Sequence, residues 1–177
     1  MKKLVLALVA SFILGSFAVQ SLNAQTKRGS FFLTGSSQFS FQTTFTEGNE
    51  EFMLSLSPSF GGFITNDLAL GLSGGVFYLS SSSSVVYSAM PTMTFFFNQG
   101  KGFIPYIGIQ AGYVGISSHG SSANGLGVGA GIGGIQMLNE HVGITLGFQY
   151  LHSRYFSDMR SAKSNTISTA IGLTTFF

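Results

Sequence analysis

The residues of this 177-residue chain with the most chemical capacity are three histidines, His119, His141 and His152, together with the hydroxyls and carboxylates near them. His152-Ser153 followed by Asp158 puts a base, a nucleophile and a carboxylate into one short segment. Such a set does chemistry only if the base reaches the hydroxyl and a third group orients the base. A zinc site would need histidines and carboxylates to converge, but these histidines fall in three separate segments, and with no cysteine there is no thiolate ligand or disulfide. Gly125-Leu-Gly-Val-Gly-Ala-Gly-Ile-Gly-Gly134 superficially carries a dinucleotide-binding glycine spacing. That motif requires a following helix and an acidic residue about 20 positions on within a βαβ unit, and neither pattern is present. Glycine at every second position reads instead as one face of a strand kept small for packing. The sequence therefore predicts no catalytic residue, no cofactor site and no metal site.

The elements that would have to position any such group are defined by composition. Charged residues are 8 % of the chain, hydrophobic residues 45 % and aromatic residues 14 %, with 24 glycines and 19 phenylalanines. A soluble domain carries about 25 % charge, so something other than water must cover much of this surface. The high aromatic and low charge content is also the reverse of a disordered chain. Beyond the N-terminus no apolar run approaches the roughly 20 residues of a membrane helix.

Residues 1–24 read as a cleaved signal peptide: Lys2 and Lys3 form the basic start, Leu4–Val19 the apolar stretch, and Leu22-Asn23-Ala24 the cleavage site. Residues 25–177 form the mature domain. Its cations are Lys27, Arg28, Lys101, Arg154, Arg160 and Lys163 and its anions Glu47, Glu50, Glu51, Asp67, Glu140 and Asp158, six against six. The mature part is neutral, and no nucleic-acid partner is expected.

The mature chain shows period-two alternation, the pattern of strands whose side chains point to opposite faces. Val142, Ile144, Leu146, Phe148 and Tyr150 alternate with Gly143, Thr145, Gly147 and Gln149; Ile167, Thr169, Ile171, Leu173, Thr175 and Phe177 alternate with Ser168, Ala170, Gly172, Thr174 and Phe176. Six more segments repeat it, around Phe31–Phe41, Phe52–Phe60, Leu68–Tyr78, Val85–Phe97, Ile107–Tyr113 and Leu126–Gly133. All twelve charges lie between these segments, at their ends or in the lead-in. A mid-bilayer Lys or Arg on the lipid face would cost about 2–4 kcal/mol.

The connections Thr65–Asp67, Asn98–Gly102 and Asn139–His141 are tight and rich in turn formers; Thr43–Glu51, Ser80–Ser84, Ser117–Asn124 and His152–Asn165 are longer or looser. Short turns face the periplasm in outer-membrane barrels, so both termini are expected there and the four longer loops outside.

A soluble barrel would carry charge on its polar face. Here that face is Gly, Ser, Thr and Gln, suited to a narrow interior filled by side chains. Lipid must then cover the bulky face, and the sheet must close, because unpaired edge amides in hydrocarbon cost several kcal/mol each. Phe31, Phe97, Phe103 and Phe177 toward one end, and Tyr78, Tyr87, Tyr113 and Tyr150 toward the other, fit interfacial girdles. The expected fold is all-β: an eight-stranded antiparallel up-and-down transmembrane β-barrel after a cleaved signal peptide.

This layout resembles the OmpA/OmpX-type small outer-membrane barrels, most closely the outer membrane beta-barrel proteins common in Bacteroidetes. Phe60-Gly-Gly-Phe-Ile-Thr-Asn-Asp-Leu-Ala-Leu-Gly71 is similar to that family's second strand, turn and third strand, and Pro105-Tyr106-Ile107-Gly108 to its fifth strand. The terminal Phe177, with Gly172 before it, is similar to the signal read by the barrel-assembly machinery, although Thr175 stands where an aromatic is preferred. The resemblance implies a location in the cell outer membrane and, as partners, outer-membrane lipid, lipopolysaccharide and the assembly machinery during biogenesis. It implies a non-enzymatic structural, envelope or surface-interaction role, with a filled interior that is not a general pore. Two alternatives stay open. Lipid A deacylases and palmitoyltransferases of this fold carry His/Ser sites near the outer rim, which draws attention to His152 and Ser153, although the deacylase His-x-Ser motif is not reproduced. A narrow barrel that binds or translocates small apolar molecules is the other. The external loop His152–Asn165, with Arg154, Tyr155, Phe156, Asp158, Met159, Arg160 and Lys163, is the richest surface for lipopolysaccharide phosphates or another surface partner.

Overall fold

The computed structural model describes residues 26–43, 50–79, 84–98, 100, 102–118, 121–156 and 161–177. The proposed signal peptide lies outside these residues, as do His119 and Asp158. Alternation becomes eight strands: β1 (Phe31–Thr43), β2 (Glu50–Thr65), β3 (Leu68–Leu79), β4 (Ser84–Phe96), β5 (Phe103–Ser118), β6 (Ser121–Met137), β7 (Val142–Phe156) and β8 (Ser161–Phe176). Each pairs antiparallel with its sequence neighbours, and β1 pairs with β8 from Phe32↔Phe176 to Thr43↔Asn165, closing the barrel. Eight strands and a full ladder are what this sequence needs if its bulky faces meet hydrocarbon, because closure leaves no edge unpaired.

The bulky face points outward, as the alternation predicts. Phe31, Leu56, Phe60, Leu126, Val128, Ile132, Phe148, Ile167 and Leu173 are exposed on the exterior, Phe31 to 63 % and Leu126 to 61 %. In water this exterior would be an apolar patch far beyond what a monomer tolerates. Phe31, Phe97 and Phe177 sit outside near the termini, and Tyr78, Tyr113 and Tyr150 toward the opposite end, with the Tyr87 and Tyr113 rings 6.0 Å apart.

Several strands run further than the alternation alone suggests. β5 and β6 pair through Ser118↔Ser121, and β7 and β8 through Phe156↔Ser161, so most of the expected loops Ser117–Asn124 and His152–Asn165 are strand. Ser, Asn and charged residues look the same in a loop as in a strand that has left the membrane. The contrast between short and long connections shrinks accordingly: residues 119–120 link β5 to β6, whereas 97–102 link β4 to β5. At the terminal end the turns are tight, Asp67 taking a positive φ of 66° and Gly100 and Gly102 values of 69° and 73°, conformations glycine adopts without strain and Asp tolerates.

Two prolines interrupt the closed wall. The β2–β3 ladder runs Leu56↔Val76 and resumes at Ser59↔Ser73, skipping Pro58; the β4–β5 ladder runs Ala89↔Tyr113 and resumes at Thr92↔Gln110, skipping Pro91. Proline has no N–H to give the neighbouring strand and is ordinarily confined to sheet edges, and a closed barrel has none.

Candidate functional site

Two places hold groups capable of recognition, the lumen and the rim farthest from the termini. The lumen is stratified. At the terminal end Phe32, Phe63, Phe96 and Phe176 turn inward and pack edge-to-face and stacked, with centroids 5.3–6.3 Å apart. Ala69, Ile104, Ile135 and Met137 complete the cluster, with Tyr106 against it; Phe176 is fully buried. This is an apolar plug. Sequence reasoning placed Phe176 on the small face but missed the other three phenylalanines. The signal was available: Phe31-Phe32, Phe95-Phe96-Phe97 and Phe176-Phe177 break the large/small alternation at one end of the barrel, and consecutive bulky residues on a strand must fill both faces.

The lead-in residues cover this end. Thr26, itself buried, donates its hydroxyl to Asp67 Oδ1 (2.6 Å) and accepts from Asn98 Nδ2 (3.0 Å), and Gly29 N–H donates to the Phe63 carbonyl (2.9 Å). His141 Nδ1 lies 3.3 Å from the Phe176 carbonyl, so the turn before β7 ties down the C-terminus.

Above the plug the lumen becomes polar. The Thr174 hydroxyl bonds both Thr34 (2.8 Å) and Thr145, linking β1, β8 and β7. The Ser36 hydroxyl donates to the Ser57 carbonyl (2.9 Å), and that of Ser73 to the Met90 carbonyl (3.3 Å). A cavity of about 180 Å³ lies here, and every residue lining it is uncharged. Over its β4–β7 side Met90, Val114 and Leu151 converge on Gly127, where a Cβ would sit 3.0–3.3 Å from all three. The glycines that mimicked a nucleotide motif thus lie on β6, the alternate ones from Gly125 to Gly133 facing inward, with β7 and no helix after them. They admit large neighbours: the Tyr106 hydroxyl lies 2.5 Å from where a Gly133 Cβ would be.

The structure separates the residues that suggested chemistry. His152 lies on the outward face of β7 between Tyr150 and Arg154, whereas Ser153 is 2 % exposed and faces the lumen. The two point to opposite sides of the sheet, so they form no nucleophile–base pair. His152 Nδ1 donates to Asn165 Oδ1 (2.7 Å), which also accepts from the Tyr150 hydroxyl (2.8 Å). Next along the same face, Arg154 stands directly opposite Lys163, both exposed. The Arg154 guanidinium lies 5.6 Å from the Phe156 ring centroid. Of the acidic residues, Asp67 and Glu140 sit at the other end of the barrel, whereas Glu50 and Glu51 open β2 at this rim, paired with Thr43 and Gln42 of β1.

No protein-family model and no curated protein matches the sequence. Solved structures do. Neisserial surface protein A, NspA, superposes with a TM-score of 0.70 at 16 % identity, covering 84 % of this chain and 99 % of its own. The N-terminal β-barrel domain of OprF from Pseudomonas aeruginosa gives 0.59 at 15 %, covering 85 % and 98 %. The attachment invasion locus protein Ail of Yersinia pestis gives 0.55 at 14 %, covering 85 % and 99 %, and has also been solved with the heparin analogue sucrose octasulfate. The fold is therefore that of the small OmpA/OmpX-type eight-stranded outer-membrane barrels.

Proposed function

We propose that this protein is a non-enzymatic integral outer-membrane barrel with a structural role in the envelope, whose β7–β8 hairpin contacts the phosphates of outer-leaflet lipopolysaccharide. The observation that carries the reading is the pairing of Arg154 with Lys163 on the outward face, past the Tyr150 level. Like charges directly opposite on one face of a sheet repel. An anion between them turns that repulsion into two charge-assisted hydrogen bonds, with Arg offering a bidentate fork. Polyanion binding by a barrel of this fold has a precedent in the Ail complex.

The same reading puts both termini in the periplasm. At the terminal end the turns close directly on the plug, while at the other end β5–β8 continue past the apolar belt with polar and charged residues. In this orientation the plug seals the periplasmic mouth, which fits a barrel that is not a diffusion pore. The mature chain then begins at Gln25, released by cleavage after Ala24.

The test replaces Arg154 and Lys163 together by Glu and measures lipopolysaccharide retained by barrels extracted in mild detergent. Retention is expected to fall severalfold while heat-modifiable migration on gels stays intact. Unchanged retention would sink the headgroup contact.

A further inference from the structure

We infer that the β7–β8 rim selects among phosphate-bearing lipids, taking those whose chains are attached through amides or carry hydroxyls over glycerophospholipids attached through esters alone. The selecting residues are His152 and Asn165, one step below the Arg154–Lys163 pair. The inference rests on the phosphate contact proposed above and names the lipid class that this contact takes.

The order of groups along the hairpin comes first. Down the outward face the cross-strand pairs run Arg154↔Lys163, His152↔Asn165, Tyr150↔Ile167 and Phe148↔Thr169. Alternate residues of a strand lie about 7 Å apart along it, so cations, hydrogen-bonding groups and apolar side chains succeed one another at that spacing. A lipid phosphate and its chain linkage are separated by a few bonds, which spans one such step. With its phosphate between Arg154 and Lys163 and its chains against Ile167 and Phe148, both exposed, a lipid brings its linkages to His152 and Asn165.

What those two residues offer follows from the bond between them. Asn165 Oδ1 is engaged by both the His152 Nδ1–H and the Tyr150 hydroxyl. A neutral imidazole with its proton on Nδ1 keeps a lone pair on Nε2, and the Asn165 amide nitrogen has no partner among the described residues. One acceptor and one donor are left on neighbouring, partly exposed side chains. Turning the amide end for end moves the ring proton to Nε2 and exchanges the roles, and the pair is still one donor and one acceptor. An ester linkage has oxygens alone, so it meets the donor and leaves the acceptor without a proton. An amide-linked chain carries an N–H beside its carbonyl, and a chain hydroxyl both donates and accepts. Such linkages, which the lipid anchor of lipopolysaccharide contains, satisfy both protein groups.

The test offers the barrel an equal mixture of ceramide phosphate and phosphatidic acid of matched chain length in phosphatidylcholine nanodiscs. Both probes carry the same phosphate monoester and differ in the linkage. The pH is slightly alkaline, where an imidazole is neutral, and the lipids that stay with the barrel through extraction in mild detergent are counted by mass spectrometry. Retention is expected to favour ceramide phosphate about fivefold, the scale of one net hydrogen bond. In His152→Phe and in Asn165→Val the ratio should fall toward one; if Asn165→Val does not fold, judged by heat-modifiable migration, His152→Phe decides alone. An excess of inorganic phosphate should not displace the ceramide phosphate, and displacement would mean that the rim holds a bare anion and overturn the inference. A ratio that persists in the folded variants would place the selection elsewhere and overturn it too. Equal retention of the two lipids by wild type, with both lost on replacing Arg154 and Lys163 by Glu, overturns the selection and leaves the phosphate contact standing. Undiminished retention of both lipids in that double variant brings down the contact and the selection together.

Discussion

The Tyr106 hydroxyl occupies the space in which a Cβ on Gly147 would have to lie. The tyrosine comes from β5 and the glycine from β7, so one ring reaches across the inward face of β6 to a strand two places away. The absence of a side chain at position 147 lets the lumen accommodate that ring.

Gly147→Ala is accordingly expected to destabilise the barrel by about 1–3 kcal/mol, the usual cost of overpacking. The obstructing atom is chiefly the hydroxyl, the ring carbon behind it lying 3.4 Å away, so Tyr106→Phe should recover most of the loss. Gly133→Ala also meets the Leu146 carbonyl, a backbone atom, and should not be rescued by the same change. At Gly74 the nearest atom is 3.7 Å away, so Gly74→Ala should be near neutral. Denaturant unfolding of the four single variants and two double variants in detergent micelles measures all of this. Equal costs at positions 74 and 147 would refute it.

The faces of the strands were legible in the sequence because lipid outside and a narrow lumen inside impose opposite demands on alternate residues. Leu126, Val128 and Ile132 against Gly127, Gly129 and Gly131 cannot be reversed without putting bulk into a space with no room. What was not legible is where alternation stops reporting on lipid. Beyond the membrane the outward face is polar too, so Arg154 and Lys163 read as loop although they are paired strand residues. Within the plug the inward face is bulky, so Phe32, Phe63 and Phe96 fell outside the pattern. The opposed directions of His152 and Ser153 were implicit in their adjacency on a strand, once β7 was known to extend that far.

The plug closes the lumen at its terminal end, and this can be read electrically. Phe63 and Phe96 are buried with ring centroids 5.3 Å apart. Replacing either by Ala removes a large buried side chain, a loss of about 3–5 kcal/mol in well-packed cores. The double variant Phe63→Ser/Phe96→Ser should in addition admit water and small ions. Planar-bilayer recordings are expected to show steady conductance in the double variant and none of that size in wild type. A wild-type barrel that already conducts steadily would contradict the seal.

The separation of His152 from Ser153 predicts that neither residue modifies lipid. His152→Ala should leave the lipid A profile of whole cells unchanged and lower stability only slightly, through loss of the Asn165 contact, a hydrogen bond worth about 1 kcal/mol. Ser153→Ala should likewise leave the profile unchanged. Mass spectrometry of extracted lipid A from both strains checks the point. A changed acyl-chain count in either would restore an enzymatic reading and require the hairpin to adopt a different arrangement.

Pro58 and Pro91 leave the wall short of hydrogen bonds at two places where the ladders keep one register on both sides of the gap. Each missing donor strands an acceptor on the adjacent strand at membrane depth, where water is not available to satisfy it. Pro91→Ala returns an N–H facing β5 between Ala89↔Tyr113 and Thr92↔Gln110, whose registers agree on both sides of the gap. The new bond should form without a shift of either strand. Its gain, about 0.5–1.5 kcal/mol, is opposed by the greater freedom of alanine in the unfolded chain, up to about 1 kcal/mol. The net change is therefore small, and local exchange is the sharper readout. Amide hydrogen exchange in β5 around Ala111 and Gly112 should slow severalfold in Pro91→Ala, with no change near Gly74; Pro58→Ala should slow exchange around Gly74 and Gly75 alone. Slowing that spreads over the whole barrel would mean the substitution acts on global stability and that the prolines are not local gaps in the wall.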